Sequence, residues 1–106
     1  MECQLPKKML SWESNMTIKF FATYRDITKC KELTIPAPPD VWALLKRLGE
    51  SYGEQMRKKL FTKDGGEIGE DAIVLLNGRN VTHIDGKDTL LQESDIVSIF
   101  PMVAGG

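Results

Sequence analysis

The chain has one histidine, His83, and two cysteines, Cys3 and Cys30. No histidine-rich metal site can be built from this set, and the cysteines do not form a C-x-x-C pair with redox or zinc spacing. Two free thiols in a reducing compartment are expected rather than a disulfide. Neither sign of charge is in excess: 14 Lys and Arg oppose 15 Asp and Glu, for a net charge of −1. Electrostatics therefore give no reason to expect a nucleic-acid or membrane-surface partner. No apolar run approaches the roughly 18 residues of a membrane span. The first residues, MECQLPKKMLSWESN, lack the sustained apolar core and cleavage pattern of a secretory signal. A cytoplasmic protein is the expectation. Catalytic groupings are also missing. No Ser/His/Asp, Cys/His or paired-carboxylate constellation stands out, so the chain reads as something other than an enzyme. Gly65-Gly66 lacks the Gly-Lys-Ser/Thr ending of a phosphate loop, and Asp64, Glu67, Glu70 and Asp71 around it would repel phosphate.

What is present is an ordinary globular composition. The 106 residues are 42% apolar and 27% charged, enough for one domain with a modest core. Residues 1–15 show no clean period and are expected to form a loosely ordered extension. Residues 16–101 hold the folded domain, and residues 102–106 a flexible tail. Thr17 to Tyr24 alternates with the period of a strand, Ile18, Phe20 and Ala22 on one side and Phe21 among those on the other. Arg25 to Lys31 is turn-like. Glu32 to Pro36 is a second strand, with Leu33 and Ile35 on one face, and a hairpin joins the two.

Pro36-Ala37-Pro38-Pro39 breaks the pattern, and Asp40 offers an N-cap carboxylate. Val41, Leu44, Leu45, Leu48 and Tyr52 then fall on one helical stripe, with Gly53 as a stop. A shorter helical stretch from Glu54 to Phe61 turns Met56 and Leu60 inward. Thr62 to Asp71 is a flexible polar loop. Ala72 to Leu76 is a continuous apolar run suited to a central strand. Asn77-Gly78 is a strong hairpin signal, and Arg79 to Val81 is the returning strand. Leu90 and Leu91 offer two apolar anchors, and the last strand runs from Ile96 to Pro101. A helix crossing between two hairpin-like halves lets the first and last strands lie parallel. The expected fold is α+β: a β-grasp with a mixed sheet of about five strands and one main helix on one face.

The chain closes on Met102-Val103-Ala104-Gly105-Gly106. Glycine without a Cβ can lie flat in a narrow slot, and Pro101 suits the end of a strand. The group presented is the Gly106 α-carboxylate, ionised at neutral pH. A carboxylate must be activated by another protein before it takes part in acyl or sulfur chemistry, so the tail reads as a substrate. If Val97 and Ile99 face the helix, then Ile96, Ser98 and Phe100 face the uncovered side, where Phe21 joins them. A partner surface of Phe21, Ile96, Phe100 and Pro101 follows. A one-residue slip would reverse the set.

Taken together, these residues resemble the MoaD/ThiS group of ubiquitin-like sulfur carriers. The resemblance spans about Met16 to Gly106. It rests on Ile18-Lys19-Phe20-Phe21-Ala22 with Arg25, the Val41-Leu44-Leu45-Leu48 helix, the apolar strand with Asn77-Gly78, Leu90 or Leu91, Asp95 with Val97, and Phe100-Pro101 before Gly105-Gly106. The Phe-Pro pair is most similar to the small subunit of molybdopterin synthase. Glu93-Ser94-Asp95 stands where that group often has Gly-Asp, and Met102 where a second proline is frequent. The resemblance implies that a ubiquitin-activating-type enzyme uses ATP to adenylate Gly106. A desulfurase- or rhodanese-like donor then leaves a thiocarboxylate, and the tail enters the large subunit of molybdopterin synthase to pass sulfur to a pterin precursor. No cofactor is bound by the carrier itself. Two other readings use the same residues: a protein modifier joined through Gly106 to lysines, and a carrier for thiamine, cysteine or tRNA thiolation. A plain interaction module with incidental glycines is the third.

Overall fold

The structure is a computed structural model that describes residues 15–102. The expected N-terminal extension, apart from Asn15, and the tail residues Val103, Ala104, Gly105 and Gly106 lie outside the described residues. In chain order the elements are β1 (Asn15–Phe20), α1 (Thr23–Thr28), β2 (Glu32–Pro36), α2 (Val41–Tyr52), α3 (Glu54–Leu60), β3 (Ala72–Leu76), β4 (Arg79–Asn80) and β5 (Ile96–Pro101). Two 3-10 turns, Val81–His83 and Gly86–Asp88, precede β5.

One five-stranded sheet forms with the order β2-β1-β5-β3-β4. β1 and β5 are parallel, pairing Ile18 with Val97 and Phe20 with Ile99, and the other neighbours are antiparallel. This is the β-grasp arrangement. Met16, Ile18, Phe20, Val74, Val97 and Ile99 point from the sheet into the core. Val41, Leu44, Leu45 and Leu48 of α2 and Met56 and Leu60 of α3 meet them there, all of these side chains being buried. α2 begins where Asp40 accepts a hydrogen bond from the Ala43 N–H at 2.8 Å, satisfying one of the free amides of the first turn. The β3–β4 turn takes positive φ at both Asn77 (52°) and Gly78 (91°), the conformation that favours Asn-Gly in tight hairpins.

Four expectations change. β1 ends at Phe20 and does not continue to Tyr24. Ala22 turns the backbone with φ 54° and ψ −125°, and Tyr24 enters the core from α1 with 0% exposure. The β1–β2 connection is therefore a short helix, with Lys29 at φ 64° after it, and not a tight hairpin. β3 is interior to the sheet as expected, flanked by β5 and β4, and β5 lies at its middle. The apolar run of β3 buries only Val74 fully, and among the described residues no helix lies over the other face of the sheet. β4 stops at Asn80, whose side chain accepts from the Thr82 N–H at 2.9 Å and starts a 3-10 turn at Val81. Of the two expected anchors, Leu91 is buried while Leu90 is 69% exposed.

The polar loop 62–71 is braced rather than unsupported. Lys87 Nζ donates to the Gly66 carbonyl at 2.6 Å and to Glu67 Oε2 at 3.2 Å, and sits 4.9 Å from the Trp42 ring centre. Ala22 occupies backbone space that L side chains visit only with strain. Ala22→Gly is expected to raise unfolding free energy by about 1 kcal/mol, read from denaturant melts. A loss of stability would show that the turn is not strained.

Candidate functional site

The sheet partitions β5 by simple alternation. Val97 and Ile99 are fully buried under the helices, whereas Ile96 (39% exposed), Ser98 and Phe100 face the open side. β3 contributes Ile73 opposite Phe100 and Leu75 opposite Ser98. Phe21, one residue past β1, donates its N–H to the Ile99 carbonyl at 3.1 Å. That bond brings its ring onto Phe100, with centroids 4.2 Å apart and planes 8° from parallel. Phe21, Phe100 and Ile96 thus share the open face, as the alternation implied. Ile73 and Leu75 belong there too and were missed. A run of five apolar residues in β3 carries no polar alternation to reveal which side is open.

The start of β5 is stapled to the β3–β4 hairpin. Asn77 Nδ2 donates to Asp95 Oδ1 at 3.0 Å, the Ile96 N–H donates to Asn77 Oδ1 at 2.9 Å, and the Gln92 N–H donates to Asp95 Oδ2 at 2.8 Å. Ser94 beside them has φ 72°, a conformation that favours glycine.

The end of β5 is held differently. Pro101 has no N–H, and its position on the strand alternates with Ile99, so the missing donor would have faced β1 beyond its end. Met102, 56% exposed, donates its N–H to the Asp71 carbonyl at 3.3 Å and extends the β3–β5 ladder by one rung. The same carbonyl accepts the Tyr24 hydroxyl at 2.7 Å, with the Lys59 carbonyl a weaker second acceptor at 3.3 Å. Gly69 makes this approach possible. A Cβ there would lie 2.9 Å from the Phe61 carbonyl oxygen and 3.0 Å from that of Lys59. Burial, and then the charge of Asp71, hold the Tyr24 phenol well above its usual range.

Among the described residues the geometry presents an apolar face with the end of β5 beside it, and no nucleophile–base pair is assembled at either. Among the described residues no cluster of three or more His, Cys, Asp or Glu is placed to hold a metal ion, and no helix is long and apolar enough to cross a membrane. The ThiS family profile matches residues 18–106, most of the chain and the whole of this site. The chain belongs to the ThiS family. Its relatives within the ThiS/MoaD group include small archaeal modifier protein 3 of Haloferax volcanii, 37% identical over 93 residues, covering 86% of this chain and 98% of that protein. Small archaeal modifier protein 1 of Methanosarcina acetivorans superposes with a TM-score of 0.72 at 29% identity, over 88% of this chain and 97% of that one. A Pyrococcus furiosus protein, provisionally described as subunit 1 of a molybdopterin converting factor, superposes with a TM-score of 0.66 at 25% identity, over 84% and 98%. ThiS-family members of this kind are small ubiquitin-like carriers and modifiers.

Two measurements check the site. In a double-mutant cycle of Phe21→Ala and Phe100→Ala, the stacked rings are expected to show a coupling of about 0.5–1.5 kcal/mol, and additive losses would show that the rings do not interact. Because the Tyr24 phenol is raised in the folded state, the stability it contributes is intact below its unfolded pKa of about 10 and is lost as pH rises past it. Unfolding free energy measured from about pH 8 to about pH 11 should fall more steeply for the native chain than for Tyr24→Phe.

Proposed function

We propose that this chain is a sulfur carrier whose Gly106 carboxylate is adenylated and converted to a thiocarboxylate. The observation that carries the reading is that the central strand, which Gly105-Gly106 follow in the sequence, ends beside an apolar face that no helix covers among the described residues. Adenylation by an ATP-using enzyme of the ubiquitin-activating type supplies a leaving group, AMP. The outer sulfur of a persulfide on a desulfurase- or rhodanese-like donor attacks the acyl carbon and expels AMP. A second thiol then cleaves the acyl disulfide, forming a disulfide with the donor's sulfur and releasing the thiocarboxylate. A thiocarboxylate sulfur is a far better nucleophile than a carboxylate oxygen. Gly105 and Gly106 let it reach a buried acceptor, with Val103 and Ala104 as the spacer. The half-buried Phe21, Ile73 and Phe100, together with the exposed Ile96 and Met102, give partners an apolar contact area. The acceptor proposed is a pterin precursor held by the large subunit of molybdopterin synthase. The Phe100-Pro101 pair and the likeness to the Pyrococcus furiosus protein support that choice. The protein works in the cytoplasm, where ATP and thiol-based sulfur donors coexist.

A second reading is favoured by the archaeal modifier relatives: the same adenylate is captured by a lysine amine and forms an isopeptide bond. Intact-mass measurement after incubation with ATP, sulfur donor and the cognate adenylating enzyme separates the two. The carrier reading expects a mass rise equal to one oxygen replaced by one sulfur. It expects no rise in a Gly106 deletion whose melting temperature is unchanged, and sulfur delivered to the pterin when the large subunit is added. Covalent conjugates without a thiocarboxylate would establish the modifier. Neither product, with the enzyme competent on another carrier, would overturn both.

A further inference from the structure

Tyr24 carries a hydroxyl into the core from α1. Its ring fills the core from α1 with 0% exposure, and a phenylalanine would fill the same space. The hydroxyl is aimed at one atom, the Asp71 carbonyl oxygen at 2.7 Å. That oxygen also accepts the Met102 N–H at 3.3 Å. A carbonyl has two lone pairs, and here one goes to a buried side chain and the other to the last backbone donor described before the tail.

The importance of that rung follows from its neighbour. Pro101 has no N–H, so the Met102 amide is the first backbone donor after Phe100. Among the described residues beyond Phe100, this is the backbone hydrogen bond to the β3 side. If it opens, the last rung joining the described chain to the β3 side moves back from Met102 to Phe100. Residues 103–106 span at most about 14 Å, so the angle at which they leave decides where the Gly106 carboxylate can go. A tail already aimed loses less freedom on entering a narrow slot.

We propose that Tyr24 is a positioning residue: through the Asp71 carbonyl it fixes the rung at Met102 and so sets the direction in which the C-terminal tail leaves the domain and enters the activating enzyme. This rests on the adenylation reading above. Four elements converge on the node: α1 supplies Tyr24, α3 the Lys59 carbonyl, the start of β3 the Asp71 carbonyl, and the end of β5 the Met102 amide. The path by which α1 influences the tail is therefore one hydrogen-bonded atom long.

The test uses the full chain as wild type, Tyr24→Phe and Ile35→Val. The last is a truncation in the buried face of β2, two strands away from the exit, chosen to lower stability without touching the node. ATP–pyrophosphate exchange by the cognate adenylating enzyme is measured against carrier concentration, and amide hydrogen exchange is measured at Met102. Tyr24→Phe should raise KM for the carrier several-fold with kcat within about twofold, and should speed Met102 exchange. Ile35→Val should do neither. An unchanged KM for Tyr24→Phe with wild type active would overturn the inference and leave the adenylation reading standing. An unchanged Met102 exchange rate would show that the hydroxyl does not hold the rung. An equal KM rise in Ile35→Val would assign the effect to lost stability. A wild-type chain that supports no exchange would sink the adenylation reading and the inference with it.

Discussion

Two strands from opposite ends of the described chain, β1 and β5, lie side by side and parallel at the middle of the sheet. Parallel neighbours cannot be joined by a tight turn, so the chain must cross through helices before β5 can dock. That crossing puts α2 over one face and, among the described residues, leaves the other without a helix. It also makes β5, the last described strand, the central one, so Met102 follows from the middle of the sheet. A chain end launched from an edge strand would fray with it. Here β5 is held on one side by β1 and Phe21 as far as Ile99, and on the other by β3 and Asp71 as far as Met102.

The same alternation along β5 builds both the core and the candidate contact face. Val97 and Ile99 meet Leu44, Leu45 and Leu48 in the buried cluster. Phe100, one position out of phase, stacks on Phe21 in partial exposure. Stability and partner contact are thus coupled by register: a one-residue shift would expose the core and bury the patch. The Asn77–Asp95 staple at the start of β5 and the Asp71 rung at its end hold the strand against such a slip.

Most of this was legible in the sequence, and the reasons differ by element. The α2 stripe, the Asp40 cap, the Asn77-Gly78 turn and the bounds of β5 follow from local chemistry that tertiary contacts do not override. Inward Val97 and Ile99 followed from alternation, and so did outward Phe100. Tyr24 was misplaced because strand alternation continues smoothly through Ala22 and Tyr24. Only the backbone conformation at Ala22 ends it, and alanine gives no sign of positive φ. Leu90 was misread because Leu-Leu does not say which side chain turns inward. The tertiary pairing of Asp40 with Leu90 decides that. The Tyr24–Asp71–Met102 node could not be read from the sequence, since it joins residues far apart through a backbone carbonyl.

Methyl NMR of the full chain, titrated with its cognate adenylating enzyme, tests the account most directly. If the uncovered sheet face presents the tail, the methyl signals of Ile73, Leu75, Ile96 and Met102 shift or broaden on binding while those of Ile84 and Leu90, exposed elsewhere, stay in place. Changes confined to Ile84 and Leu90, with the four open-face methyls unmoved, would contradict it.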